Sequence, residues 1–167
     1  YANRVFVNLS YRRDASSRFH PDHRWGNFWS VGAAWLINSE PWFNAPWVNM
    51  LKVKASYGSQ GNDQIGNYRY TDTYSVENLD GQIATAFVSK GNKNITWETN
   101  ENFNAGVEFG FLGNRITGSL EYFSRKTSDM LFFFNVATSS GYSGYYDNIG
   151  DMRNAGVEFD LNVNIFN

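Results

Sequence analysis

Glu108, Glu121, Glu158 and Asp160 are the first candidates for chemistry, because paired carboxylates can share acid, base and nucleophile roles in glycoside hydrolysis. Each occupies an alternating position of an extended stretch. Alternation spreads them along one wall of different strands, beside Arg12, Lys52 and Lys54, and a hydrated polar wall accounts for them better than a catalytic pair. FHPDHR sets His20 and His23 beside Asp22, a start on a metal site. Pro21 and the loop setting fix no ligand geometry and no third strong ligand follows, so a solvated loop is expected. GSQGN at 58–62 lacks the Lys-Ser/Thr of a phosphate loop and reads as a strand-to-loop turn. There are 0 cysteines, hence no thiol nucleophile or disulfide framework, and no G-x-S-x-G elbow. No catalytic residue, cofactor or metal site is called for.

Binding chemistry is a stronger prospect. Tyr68, Tyr70 and Tyr74 lie in one long polar stretch, and Tyr142, Tyr145 and Tyr146 in another. Tyrosine rings stack on sugar faces or pack on peptides while their hydroxyls hydrogen-bond. The competing reading is that these rings fold the loops onto one another.

The elements that must position these residues announce themselves by period two. In NAGVEFDLNVNIFN, residues 154–167, Val157, Phe159, Leu161, Val163 and Ile165 share one face, and Glu158, Asp160, Asn162 and Asn164 the other. The same alternation predicts strands over 4–13, 25–36, 50–58, 94–111 and 115–126, with a short one at IATAFVS. Lys52 and Lys54 share a face, which suits water and not a dry core. Pro41 and Pro46 forbid a ladder through 37–49. The connections 37–49 and 112–114 are short or moderate, whereas 14–24, 59–93 and 127–150 are long and polar, and all three long ones fall at one end.

Composition narrows the class. At 167 residues the chain is long enough for one ordinary domain, and aromatics make up 18% of it. Mean hydropathy is -0.48 and no apolar run is long enough for a membrane helix. Barrel strands escape that test, since alternation hides their apolar residues. A net charge of -2 gives no basic field for nucleic acid. The chain begins at Tyr1 as if a strand were in progress, so it is expected to be an internal piece of a longer protein. Trp25, Trp29, Trp35, Trp42, Trp47 and Trp97 are expected at membrane interfaces or in loop packing.

Four blocks carry a family resemblance: YRRDASSRF with RWGNFWSVGAAWLINSEPWF, LKVKASYGSQGNDQIGNY, NITWETNENFNAGVEFGFLGNRITGSLEYFSRKTSDML, and NIGDMRNAGVEFDL. In that order they resemble the SusC/RagA family of TonB-dependent outer-membrane transporters of the Bacteroidetes. The resemblance implies an all-β fold: an antiparallel transmembrane β-barrel segment with long extracellular loops, holding roughly six to eight strands of a 22-stranded barrel. Residues 1–167 then belong to the barrel domain, with the plug domain, TonB box and closing strands elsewhere. It further implies import of oligosaccharides or peptides, a SusD-like lipoprotein as lid, energy from the TonB–ExbB–ExbD complex, outer-membrane lipid around the wall, and no nucleic-acid partner. On that reading Arg12, Lys52, Lys54, Glu108, Glu121, Glu158 and Asp160 face the lumen, while the loop tyrosines contact cargo or lid. Two other readings stand beside it: a soluble aromatic-rich β-sandwich or barrel that binds carbohydrate, and a secreted glycan-cleaving enzyme.

Overall fold

The computed structural model describes residues 3–165, so the last two positions of the strand expected at 154–167 lie outside it. In chain order the strands are β1 (Val5–Ala15), β2 (Trp25–Leu36), β3 (Val48–Asn62), β4 (Thr73–Leu79), β5 (Gln82–Ser89), β6 (Glu98–Phe111), β7 (Ile116–Ser128), β8 (Leu131–Asn135), β9 (Gly144–Asn148) and β10 (Met152–Val163). Six of them form one sheet in the order β1-β2-β3-β6-β7-β10, every neighbour antiparallel. The pairs β4-β5 and β8-β9 are separate hairpins within long connections.

Two expectations need correction. β3 runs on to Asn62, so GSQGN is strand and not a turn. Its glycines serve close approach: a Cβ on Gly58 would meet Ser30 Cβ at 2.9 Å, and one on Gly61 would run into the Phe28 ring. Conversely, β6 starts at Glu98, and 94–97 is loop, because Ile95 turns into a buried loop core. The short strand expected at IATAFVS is present as β5, and β4, β8 and β9 are further strands within the long connections.

Register sorts the side chains into two unlike faces. Straight across the sheet, one row reads Val5, Trp35, Val53, Val107, Leu120, Phe159. A row three residues along, turned to the other side, reads Asn8, Gly32, Ser56, Asn104, Phe123, Gly156. On β6 the apolar positions Phe103 to Phe111 cover about 27 Å of strand. Past them the same face turns charged, with Glu101, Lys126 and Arg153 in one register row. Aromatic pairs mark both margins of the band: Trp29 with Tyr57 (5.3 Å) and Phe103 with Tyr122 (6.2 Å) at one end, Trp35 with Trp42 (6.3 Å) and Trp47 with Phe111 (5.4 Å) at the other.

The apolar face is bare. Leu9 is 75% exposed and Val157 67%. The buried core lies instead among the long connections at one end, in Phe19, Ile65 and Ile95. At the opposite end the β6–β7 turn is short. Leu112, Gly113 and Asn114 take positive φ of 55°, 71° and 62°, and Asn49 Oδ1 caps the turn by accepting the Gly113 N–H at 2.6 Å.

Candidate functional site: a polar wall beneath clasped loops

On the polar face, register sets Lys52 opposite Glu108 and Lys54 opposite Gly106, which in turn stands opposite Glu121. Lys52 Nζ lies 3.1 Å from Glu108 Oε2, and Lys54 Nζ 2.8 Å from Glu108 Oε1; Lys54 also pairs with Glu121. That last pair spans two strand spacings. It forms because Gly106 between them has no side chain, and a Cβ there would meet Glu121 Cγ at 2.9 Å. Both carboxylates are thus engaged by lysines in one alternating chain of charge.

The other residues expected near this cluster lie apart. Arg12 is nearer the long-loop end, with its Nε 2.6 Å from Asp14 Oδ2 and its guanidinium 5.9 Å from the Phe28 ring, so the carboxylates do not sit beside it as expected. Glu158 stands opposite Glu121 and Asp160 opposite Ser119 on the outermost strand, β10; neither makes an ion pair among the described residues. All seven charged residues nevertheless share one face. Small residues hollow this face: a depression of about 390 Å³ is lined by Asn8, Gly32, Ala34, Asn104 and Glu121, and a second of about 480 Å³ by Arg12, Phe28, Ser30, Gln60 and Asn102.

The tyrosines divide by packing. Tyr70 and Tyr146 lie against the Phe19–Ile65–Ile95 core. Tyr70 also meets the His20 ring at 5.9 Å, and Tyr146 lies between Phe133 (5.0 Å) and the Arg69 guanidinium (5.0 Å). Phe87 joins the two hairpins, contacting Tyr74 at 5.2 Å and Tyr142 at 5.4 Å, and Tyr145 pairs with Phe134 at 5.7 Å. Tyr68 and Tyr74 keep most of their surface in solvent, at 65% and 61% exposed. His20 Nδ1 lies 3.3 Å from Asp22 Oδ2, and no cluster of three metal-binding side chains occurs among the described residues.

Side chains that the candidate residues did not include hold this end together. Ser16 Oγ donates to Asp63 Oδ2 at 2.7 Å, and Arg18 Nη1 donates to the Asp63 carbonyl at 2.9 Å. Trp97 Nε1 donates to the Arg24 carbonyl at 2.9 Å. Asn148 Nδ2 donates to the carbonyls of Thr96 (3.0 Å) and Asp129 (2.8 Å), and Asn92 Nδ2 to Asp147 Oδ1 (2.8 Å). Three connections that are distant in sequence become one clasp. Most of its members fall inside the four blocks, at SSRF, GND, NITW and NIG, and that was the available signal; Asn92 and Asp147 lie just outside them.

With this geometry in place, likeness to known proteins can be weighed. The family model described as TonB dependent receptor-like, beta-barrel matches residues 1–167. The TonB-dependent receptor SusC of Bacteroides thetaiotaomicron is 34% identical over 96% of this chain. TonB-dependent receptor P26 of Formosa agariphila is 32% identical over 98% of it. The chain spans only 17% of the length of either relative. The RagAB peptide importer in its "closed-closed" state superposes with a TM-score of 0.90 at 32% identity, over 98% of this chain and 18% of that one. The siderophore receptor PirA from Pseudomonas aeruginosa, at 17% identity, shares the fold with a TM-score of 0.61 over 98% of this chain and 29% of its own. A two-faced antiparallel sheet with long loops at one end is an arc of barrel wall, and the chain belongs to the TonB-dependent receptor-like β-barrel family, as a SusC/RagA-type stretch of outer-membrane barrel.

Proposed function

We propose that this chain supplies wall, lumen lining and outer loops to an active outer-membrane transporter that imports oligosaccharides or peptides. The observation that carries the reading is the match of this arc to the wall of a peptide importer at a TM-score of 0.90. The two faces fit it. The bare apolar band meets lipid, and the ion-paired face with its hollows meets water, cargo and a plug domain carried elsewhere in the parent chain. Energy comes from the TonB–ExbB–ExbD complex, and a SusD-like lipoprotein closes the mouth. Arg12, Lys52, Lys54, Glu108, Glu121, Glu158 and Asp160 line the lumen. Tyr68 and Tyr74, the most exposed of the loop tyrosines, contact cargo or lid, and Tyr70, Tyr142, Tyr145 and Tyr146 support them. Binding, and not bond-making, is the chemistry, as in a family of transporters.

The test is deletion of the parent gene in its own bacterium, followed by uptake of a random-sequence oligopeptide library and of a maltooligosaccharide mixture. Loss of one uptake, reproduced when ExbB is inactivated, is the expected result. Unchanged uptake of both in the deletion strain, with growth on other oligomeric nutrients also intact, overturns the reading.

A further inference from the structure

Phe28 is out of character for its position. It lies on the polar face of β2 yet is only 6% exposed. A Cβ at Gly26 or at Gly61 would run into its ring, so two strands leave out a side chain to seat it. Trp97 closes over it edge-on at 5.2 Å. From Trp97 the apolar packing continues to Phe19 at 5.5 Å and on through Ile95 and Ile65, with Tyr70, Leu131 and Tyr146 against that core. The core therefore touches every long connection at this end, 16–24, 63–97 and 129–151, and it meets the barrel wall where Phe28 and Trp97 pack over Gly26 and Gly61.

We infer that Phe28 and Trp97 are positioning residues, a pin that fixes the outer loops to the barrel wall as one preassembled body and so sets the loop surface offered to cargo without touching cargo. A buried cluster fed by several segments opens as one cooperative unit. Loops already ordered by it pay no ordering entropy when a ligand arrives. The tip of the β4-β5 hairpin stands outside this body, with Val76 70% and Ile83 81% exposed. The cargo half of the inference rests on the proposed transport function; the one-body half does not.

Hydrogen exchange on the full-length transporter in detergent, with heat-modifiable gel migration as the check on barrel formation, tests it. Trp97→Ala is expected to speed exchange of 16–24, 63–72, 90–97 and 146–148 together, by a common factor of about tenfold, while β3 and β6 stay protected. Phe28→Ala, which lies in none of those loops, produces the same pattern. Gly61→Ala does so too, by dislodging the ring while both aromatics remain, and Trp97→Phe largely restores the wild-type rates. In oligopeptide-library or maltooligosaccharide uptake, Trp97→Ala raises the half-saturation concentration while the maximal rate per folded barrel holds. Acceleration confined to the segment bearing the substitution, or none at all, overturns the pin. If the wild type takes up neither probe, the transport reading fails while the exchange experiment still decides the pin.

Discussion

At the scale of single residues, the polar wall depends on who reaches whom. Lys54, already paired with Glu108 on the adjacent strand, reaches Glu121 only because Gly106 is bare, and all three charged side chains keep about a quarter to a third of their surface in water. Partly exposed ion pairs are individually weak, so Lys54→Met is expected to cost the full-length barrel about 1 kcal/mol. The shift in urea midpoint measures it. The double variant Lys54→Met/Glu121→Gln should cost less than the sum of the single changes, because both remove the same pair. The sequence made it legible that Lys52 and Lys54 share a face, since alternation decides that alone. That Lys54 skips a strand was not legible, because it depends on which residue of β6 register places between the partners. The aromatic at Phe28 was equally hidden: alternation puts it on the water side, and only Gly26, Gly61 and Trp97 explain why it stays dry.

At the scale of elements, β10 separates the two environments most cleanly. Leu161 and Asn162 are neighbours in sequence on opposite faces, paired with Gly118 and Thr117. An arginine on the lipid side costs about 2–4 kcal/mol near the midplane, so Leu161→Arg should lower the yield of heat-modifiable barrel sharply. Asn162→Arg should stay within about 0.5 kcal/mol of wild type. The β4-β5 hairpin turns through Asp80 and Gly81 at φ of 48° and 84°, with Asn78 Oδ1 accepting the Gly81 N–H at 2.8 Å. Gly81→Val puts a branched side chain in that left-handed position and should cost about 1–2 kcal/mol. It should appear as faster hydrogen exchange over 74–88 with the wall unchanged. The long, strictly alternating wall strands were readable because lipid and water impose period two. The hairpins were harder. TYSVENL mixes polar and apolar residues on both faces, and 131–135 is apolar at four of its five positions, so neither shows a clean period. Ile95 and Trp97 mimic strand alternation but point into a loop core.

At the scale of the whole molecule, β1 and β10 are the two end strands of the six-stranded sheet, and the apolar face is uncovered. Open edges and a large exposed apolar face both drive aggregation. Residues 1–167 expressed alone are therefore expected in the insoluble fraction and to need detergent for recovery; a monodisperse folded monomer in detergent-free size-exclusion chromatography would contradict this. The two-faced wall and the one-sided placement of long loops were evident from spacing, because each strand reports its own environment. The clasp was not, since it exists only where three distant segments meet. It also bears on how such a protein diversifies. Grafting one outer loop from a relative would break Ser16–Asp63, Trp97–Arg24 or Asn148–Thr96 and leave a mismatched half. New specificity should accordingly spread by exchange of the loops as a set, or by free variation in the β4-β5 tip, which the clasp does not hold.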